Sequence, residues 1–182
     1  MPITRVGEIN VEYYVEGRGP PLLMIMGYSL QASSWGEPFL ERLRPHFSTI
    51  RFSNRGTGLS DNPEVATTIR MMADDSGALM DALGIPRAHV LGISMGGMIA
   101  QELALNHQQR VLGLVLGCTL PGGTHGVAAT PETMSMVMPV AGLSSEECSG
   151  APGRRSARRH LSRLGGTSSN RCSRPGLRTP YR

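Results

Sequence analysis

The chain has 182 residues, of which 40% are hydrophobic; this suffices for one sizeable buried core, and nothing demands a second domain of comparable size. The formal charge of +4 is unevenly spread: residues 1–147 hold nine arginines against fourteen Asp and Glu, whereas residues 148–182 hold nine arginines and no acid. The basic balance therefore belongs to the tail, which argues against reading the whole chain as a nucleic-acid binder.

In chain order, Arg5 to Asn10 and Val11 to Val15 read as two short, closely joined strands that end at Gly17-Arg18-Gly19-Pro20-Pro21. Leu22 to Met26 is a continuous apolar run, as in a strand covered on both faces, and Ser33 to Arg44 has helical spacing through Trp35, Phe39, Leu40 and Leu43. The alternation returns with a strand at Ser48 to Phe52, a glycine-rich loop, and a helix at Thr67 to Leu83 closed by Gly84 and Pro86. A strand at Val90 to Ile93, a helix from Met95 to His107 and a strand at Val111 to Leu116 complete the series. It predicts an α/β fold with a mostly parallel, doubly wound sheet. Residues 1–117 form the core in this reading and 118–147 a change of pattern. Residues 148–182 are an Arg-, Ser-, Gly- and Pro-rich tail with too few large aliphatic residues to offset the cost of ordering.

Cys118, Cys148 and Cys172 are odd in number and far apart, which suggests neither a disulfide framework nor a zinc site and fits a reducing cytoplasm. Leu22 to Met26 is far too short to span a bilayer, and the N-terminus lacks a basic-then-apolar secretion pattern. A cytoplasmic protein with no membrane partner is the expectation.

The most informative segment is Gly92-Ile93-Ser94-Met95-Gly96, a Gly-x-Ser-x-Gly sequence between a strand-like and a helix-like run. A serine on a sharp strand-to-helix turn needs nearly side-chain-free positions two before and two after it; Gly92 and Gly96 supply them, which names Ser94 as a nucleophile. Acyl transfer also needs donors for the oxyanion. The backbone N–H of Met95, just past the serine, and that of Tyr28, in the Met26-Gly27-Tyr28 strand exit, are the candidates.

Ser53 to Asp61 carries Gly-x-Gly after a strand, but the third glycine, an immediate helix and Gly-Lys-Ser/Thr are missing. A structured turn pinned by Arg55 is predicted instead of a phosphate cradle. The base and the acid are harder to place. Histidines after Ser94 are His107, His125 and His160, and the later acids are Glu102, Glu132, Glu146 and Glu147, with no aspartate beyond Asp81. His107 ends the helix after the serine, where it suits the helix dipole without catalytic work. Trp35, Met98 and the Met134-Met136-Met138 stretch are candidate apolar lining for an acyl pocket.

Together Leu22 to Trp35, Phe52 to Asp61, Val90 to Glu102 and Arg110 to Gly117 resemble the α/β-hydrolase superfamily, in the pattern of small esterases, enol-lactonases and cofactor-free haloperoxidase-like members. The resemblance covers roughly residues 1–145. It implies a Ser94 nucleophile, oxyanion amides from Tyr28 and Met95, a small-molecule ester or lactone substrate, and no cofactor, metal or nucleic-acid partner. Met26 stands where many members have histidine, and Ser53 where the loop often begins with aspartate. Members continue through a cap and two further strands that bring the triad acid and histidine in the order Ser, Asp, His; residues 118–182 do not match that region. The Arg-rich, acid-free stretch near residue 148, in a chain without lysine, resembles a second reading frame of GC-rich DNA. The expectation is an α/β hydrolase incomplete on its C-terminal side, with impaired activity. A perhydrolase using the same serine, and a non-catalytic fragment, are the alternatives.

Overall fold

A computed structural model describes residues 2–122, 126–127 and 130–132. The chain divides into two units, residues 1–130 and 131–182, and the second contributes only Pro131 and Glu132 to the described residues. The first unit is built on a six-stranded sheet of order β1-β2-β4-β3-β5-β6. Its strands are β1 (Ile3–Val6), β2 (Ile9–Gly17), β3 (Pro21–Ile25), β4 (Ser48–Phe52), β5 (Ala88–Ile93) and β6 (Val111–Gly117). Strands β3 to β6 are mutually parallel, while β1 and β2 add an antiparallel hairpin that joins the sheet through β2 and β4. The helices are α1 (Glu37–Leu43), α2 (Ile69–Ala82) and α3 (Met95–Asn106).

The apolar run of β3 divides by the two-residue period of a strand. Leu23 and Ile25 face one core with Met72, Leu79 and Met80 of α2 and Ile99 and Leu103 of α3. Leu22 and Met24, with Met26 just past the strand, face the other core with Trp35 and Leu40. Burial on both faces explains the unbroken hydrophobic sequence, and each such side chain contributes roughly 1.5–3 kcal/mol relative to exposure. At the edge, β6 leaves Leu112, Leu114, Val115 and Leu116 between 39% and 57% exposed among the described residues.

Two expected boundaries are corrected. The hairpin turns at Gly7–Glu8, with Val6 opposite Ile9, and not at Asn10–Val11, because β2 runs on without interruption to Gly17. The helix expected over Ser33 to Arg44 is a short 3-10 turn, Ala32–Ser34, followed by α1. Gly36 at φ 36 breaks it, and Pro38, which lacks an N–H, sits in the first turn of α1 where no partner is needed. The α2 start is set by Thr68, whose hydroxyl accepts the Met71 amide.

The expected tail at 148–182, and most of 118–147, lie outside the described residues. No helix among the described residues is long and apolar enough to cross a membrane, and no group of three or more His, Cys, Asp or Glu among them could hold a metal ion.

Candidate active site

Parallel strands deliver their C-terminal ends to one rim of the sheet, and the four segments of the candidate site meet there. Ser94 joins β5 to α3 at φ 52 and ψ −125, a conformation that costs a non-glycine residue roughly 1–3 kcal/mol. The surroundings hold it. Its amide donates to the Gly117 carbonyl at 2.9 Å, and its carbonyl accepts from Thr119 Oγ1 at 2.7 Å and the Gly97 amide at 2.9 Å. The Ser94 side chain is exposed.

The flanking glycines are required by close approach. A Cβ on Gly92 would lie 2.3 Å from the Gly96 carbonyl oxygen, and one on Gly96 would lie 2.2 Å from that of Ile25 and 2.6 Å from that of Met26. These neighbours are backbone and cannot swing aside. Their crowding seats α3 on the end of β3 and brings Gly27 against the serine: a Cβ there would stand 3.1 Å from Ser94 Cβ and 3.6 Å from its Oγ. Neither the Met95 nor the Tyr28 amide donates to a protein acceptor among the described residues, although Met95 begins α3, where an N–H has no partner within the helix.

The Ser53–Asp61 loop braces the Gly27 side. It is a run of turns, with the Gly56 amide on Asp61, Thr57 on Asn54 and Ser60 on Thr57. Arg55 does pin it, through two bonds of 2.6 and 2.7 Å to Asp75 of α2. Buried Asn54 donates from Nδ2 to the Met26 carbonyl at 3.1 Å, and buried Ser53 accepts the Ala32 amide at 3.0 Å.

Beneath the loop lies Glu12, 6% exposed, a buried carboxylate that sequence reasoning does not single out. Its oxygens accept from Ser53 Oγ at 2.8 Å, Tyr14 Oη at 2.8 Å and the Leu59 amide at 3.0 Å. Burial alone would raise this carboxyl, but the Leu59 amide and the two hydroxyls outweigh it and hold it below its ordinary value.

Other expected residues fall elsewhere. His107 caps the far end of α3, with Nε2 3.4 Å from Asp74, so the helix puts it about 20 Å from Ser94. Glu102, on the same helix, accepts from Asn106 at 2.8 Å. His89 lies edge-on to Phe47 near the start of β5, and His46 precedes β4 at the opposite end of the sheet. No described histidine therefore adjoins Ser94; His125, His160, Glu146, Glu147 and the Met134-Met136-Met138 stretch lie outside the described residues. Trp35 is not pocket lining: it is 6% exposed, packed with Leu22, Met24, Met26 and Leu40 and stacked on Phe39. Met98 is half-buried.

The sequence matches the alpha/beta hydrolase fold over residues 20–141. It is 38% identical over 125 residues to the rhodomycin D methylesterase DauP of Streptomyces sp. strain C5, which covers 64% of this chain and 42% of that protein. Among solved structures, it resembles the enol-lactonase of Burkholderia xenovorans LB400 (TM-score 0.60, 31% identity, 62% of this chain and 45% of that one). It also resembles a thermophilic esterase from Thermogutta terrifontis (TM-score 0.65, 28% identity, 75% of this chain and 50% of that one). The chain spans less than half the length of the curated relatives it matches.

Proposed function

Because the chain belongs to the alpha/beta hydrolase fold family, we propose that it is a serine hydrolase acting on carboxylic esters or lactones, with Ser94 as nucleophile. The observation that carries this reading is exposed Ser94, held at φ 52 on the turn into α3 with Gly27 against its Cβ. The methylesterase, enol-lactonase and esterase likenesses support the substrate class.

In this mechanism Ser94 Oγ bonds to the substrate carbonyl carbon while its proton passes to a base, and the carbonyl oxygen becomes an anion between the Met95 and Tyr28 amides. Collapse expels the alcohol, or opens the lactone ring, and leaves an acyl-Ser94 that water hydrolyses.

The test is to treat the full chain with p-nitrophenyl acetate and with a small lactone, and to map adducts by mass spectrometry. A single acyl group on the Ser94 peptide, with p-nitrophenol release that Ser94→Ala abolishes, is expected. Release from Ser94→Ala at the wild-type rate would overturn the assignment.

A further inference from the structure

The Gly-x-Ser-x-Gly pattern accounts for Gly92 and Gly96 and leaves Gly97 unexplained. Gly97 is buried, and a Cβ there would lie 2.5 Å from Cβ and 2.6 Å from both Cγ2 and Oγ1 of Thr119. Its missing side chain is the space that Thr119 occupies. From there Thr119 Oγ1 donates to the Ser94 carbonyl at 2.7 Å, at the short end for a hydroxyl donor. Two residues earlier the same segment accepts the Ser94 amide at the Gly117 carbonyl, so residues 117–119 grip both backbone groups of the strained serine.

The Ser94 carbonyl and the Met95 amide are two ends of one planar peptide unit, pointing in opposite directions. Fixing the carbonyl end fixes the direction of the amide end, and donation into the carbonyl polarises the unit and makes its N–H a stronger donor. We propose that Thr119 is a positioning residue that aims and strengthens the Met95 oxyanion donor through the Ser94–Met95 peptide. The inference rests on the serine-hydrolase reading for its catalytic meaning, though not for its structural content. Thr119 acts through that peptide and needs no contact with substrate. The two donors are unequally supported: the Gly27 carbonyl, at the other end of the Tyr28 amide unit, accepts only a 3.4 Å bond from Leu30 among the described residues. Met95 is on this reading the dominant donor.

The test compares wild type, Thr119→Val, Thr119→Ser and Gly97→Ala as full chains labelled with 15N. Thr119→Val keeps the shape and removes the hydroxyl; Gly97→Ala keeps the hydroxyl and displaces it. The Met95 amide resonance is expected to move in both, and to stay at its wild-type position in Thr119→Ser. With p-nitrophenyl acetate, kcat in Thr119→Val should fall about tenfold, less than the 10²–10³ lost with an oxyanion donor itself, while KM stays within twofold and Thr119→Ser restores the rate. An unmoved Met95 resonance in Thr119→Val overturns the proposal, as does an unchanged kcat in a wild type that turns over. A wild type that forms no Ser94 adduct overturns the hydrolase reading instead, and the Met95 resonance still decides whether Thr119 sets that amide.

Discussion

Glu12→Gln tests the claim that a buried carboxylate holds the loop beneath the site. In the wild type, Oε2 accepts from Ser53 and Leu59 at 2.8 and 3.0 Å, and Oε1 from the Tyr14 hydroxyl at 2.8 Å. A glutamine can keep its oxygen toward Ser53 and Leu59 and offer its amine to Tyr14, whose hydroxyl turns to accept, so shape and bond count are preserved. What is lost is charge assistance. Hydrogen bonds to an ionised group contribute about 1.5–3 kcal/mol against about 0.5–1.5 for neutral pairs, so a loss of a little under 1 kcal/mol at each of the three bonds sums to about 2 kcal/mol at pH 7. The folded carboxyl lies below its ordinary value. Its stabilisation is therefore full above the unfolded value near 4.3 and disappears as pH falls through the folded value. Urea unfolding of wild type and variant, followed by the fluorescence of the single, buried Trp35, should differ by about 2 kcal/mol at pH 7 and converge in acid. Equal stabilities at pH 7, or a gap that persists in strong acid, would refute the reasoning.

Three further substitutions bear on the same rim. Ser94→Gly removes the strain at φ 52 and should raise stability by about 1 kcal/mol in the same urea assay while abolishing the Ser94 acyl adduct; a destabilised variant would contradict the strain argument. Gly96→Ala drives a methyl into the Ile25 and Met26 carbonyls and should cost about 3 kcal/mol or more, measured by thermal unfolding. Arg55→Ala strands Asp75, in a pair whose side chains are 9% and 14% exposed, and should cost about 3 kcal/mol. Arg55→Lys keeps the charge without the two-pronged bond and should fall between, whereas an alanine variant within 1 kcal/mol of wild type would count against the pair.

Sequence periodicity made much of the scaffold legible. The buried β3 run, the β4 strand and the α2 and α3 helices follow from hydrophobic spacing, and Ser94 with Gly92 and Gly96 from backbone crowding at a sharp turn. The misplaced boundaries lie where single residues override a pattern: Gly36 splits an otherwise helical stretch, and the turn at Gly7–Glu8 is masked by continued strand-like sequence. Trp35 belongs to the second core and not to a pocket wall, a choice that sequence leaves open because an aromatic after a strand can face either until the layers are known. Arg55 was readable as a pin, but Asp75, 20 residues away on α2, was not. Glu12 and Thr119 could not be found at all. Apart from Tyr14, two residues from Glu12, their side-chain partners lie 41 to 47 and 25 residues away, and no local spacing announces a contact made only when the sheet is assembled.

The clamp on Ser94 also has a timetable. The serine is synthesised 25 residues before Thr119, whose hydroxyl holds its carbonyl, and before Gly117, whose carbonyl holds its amide. At about 5–20 residues per second, the ribosome leaves the elbow without its restraints for roughly one to five seconds. During that interval the serine lacks the two restraints from residues 117–119, and its strained dihedral angles are fully held only after β6 has emerged and paired with β5. Ordering the chain this way delays the strained serine turn until the sheet that supports it exists.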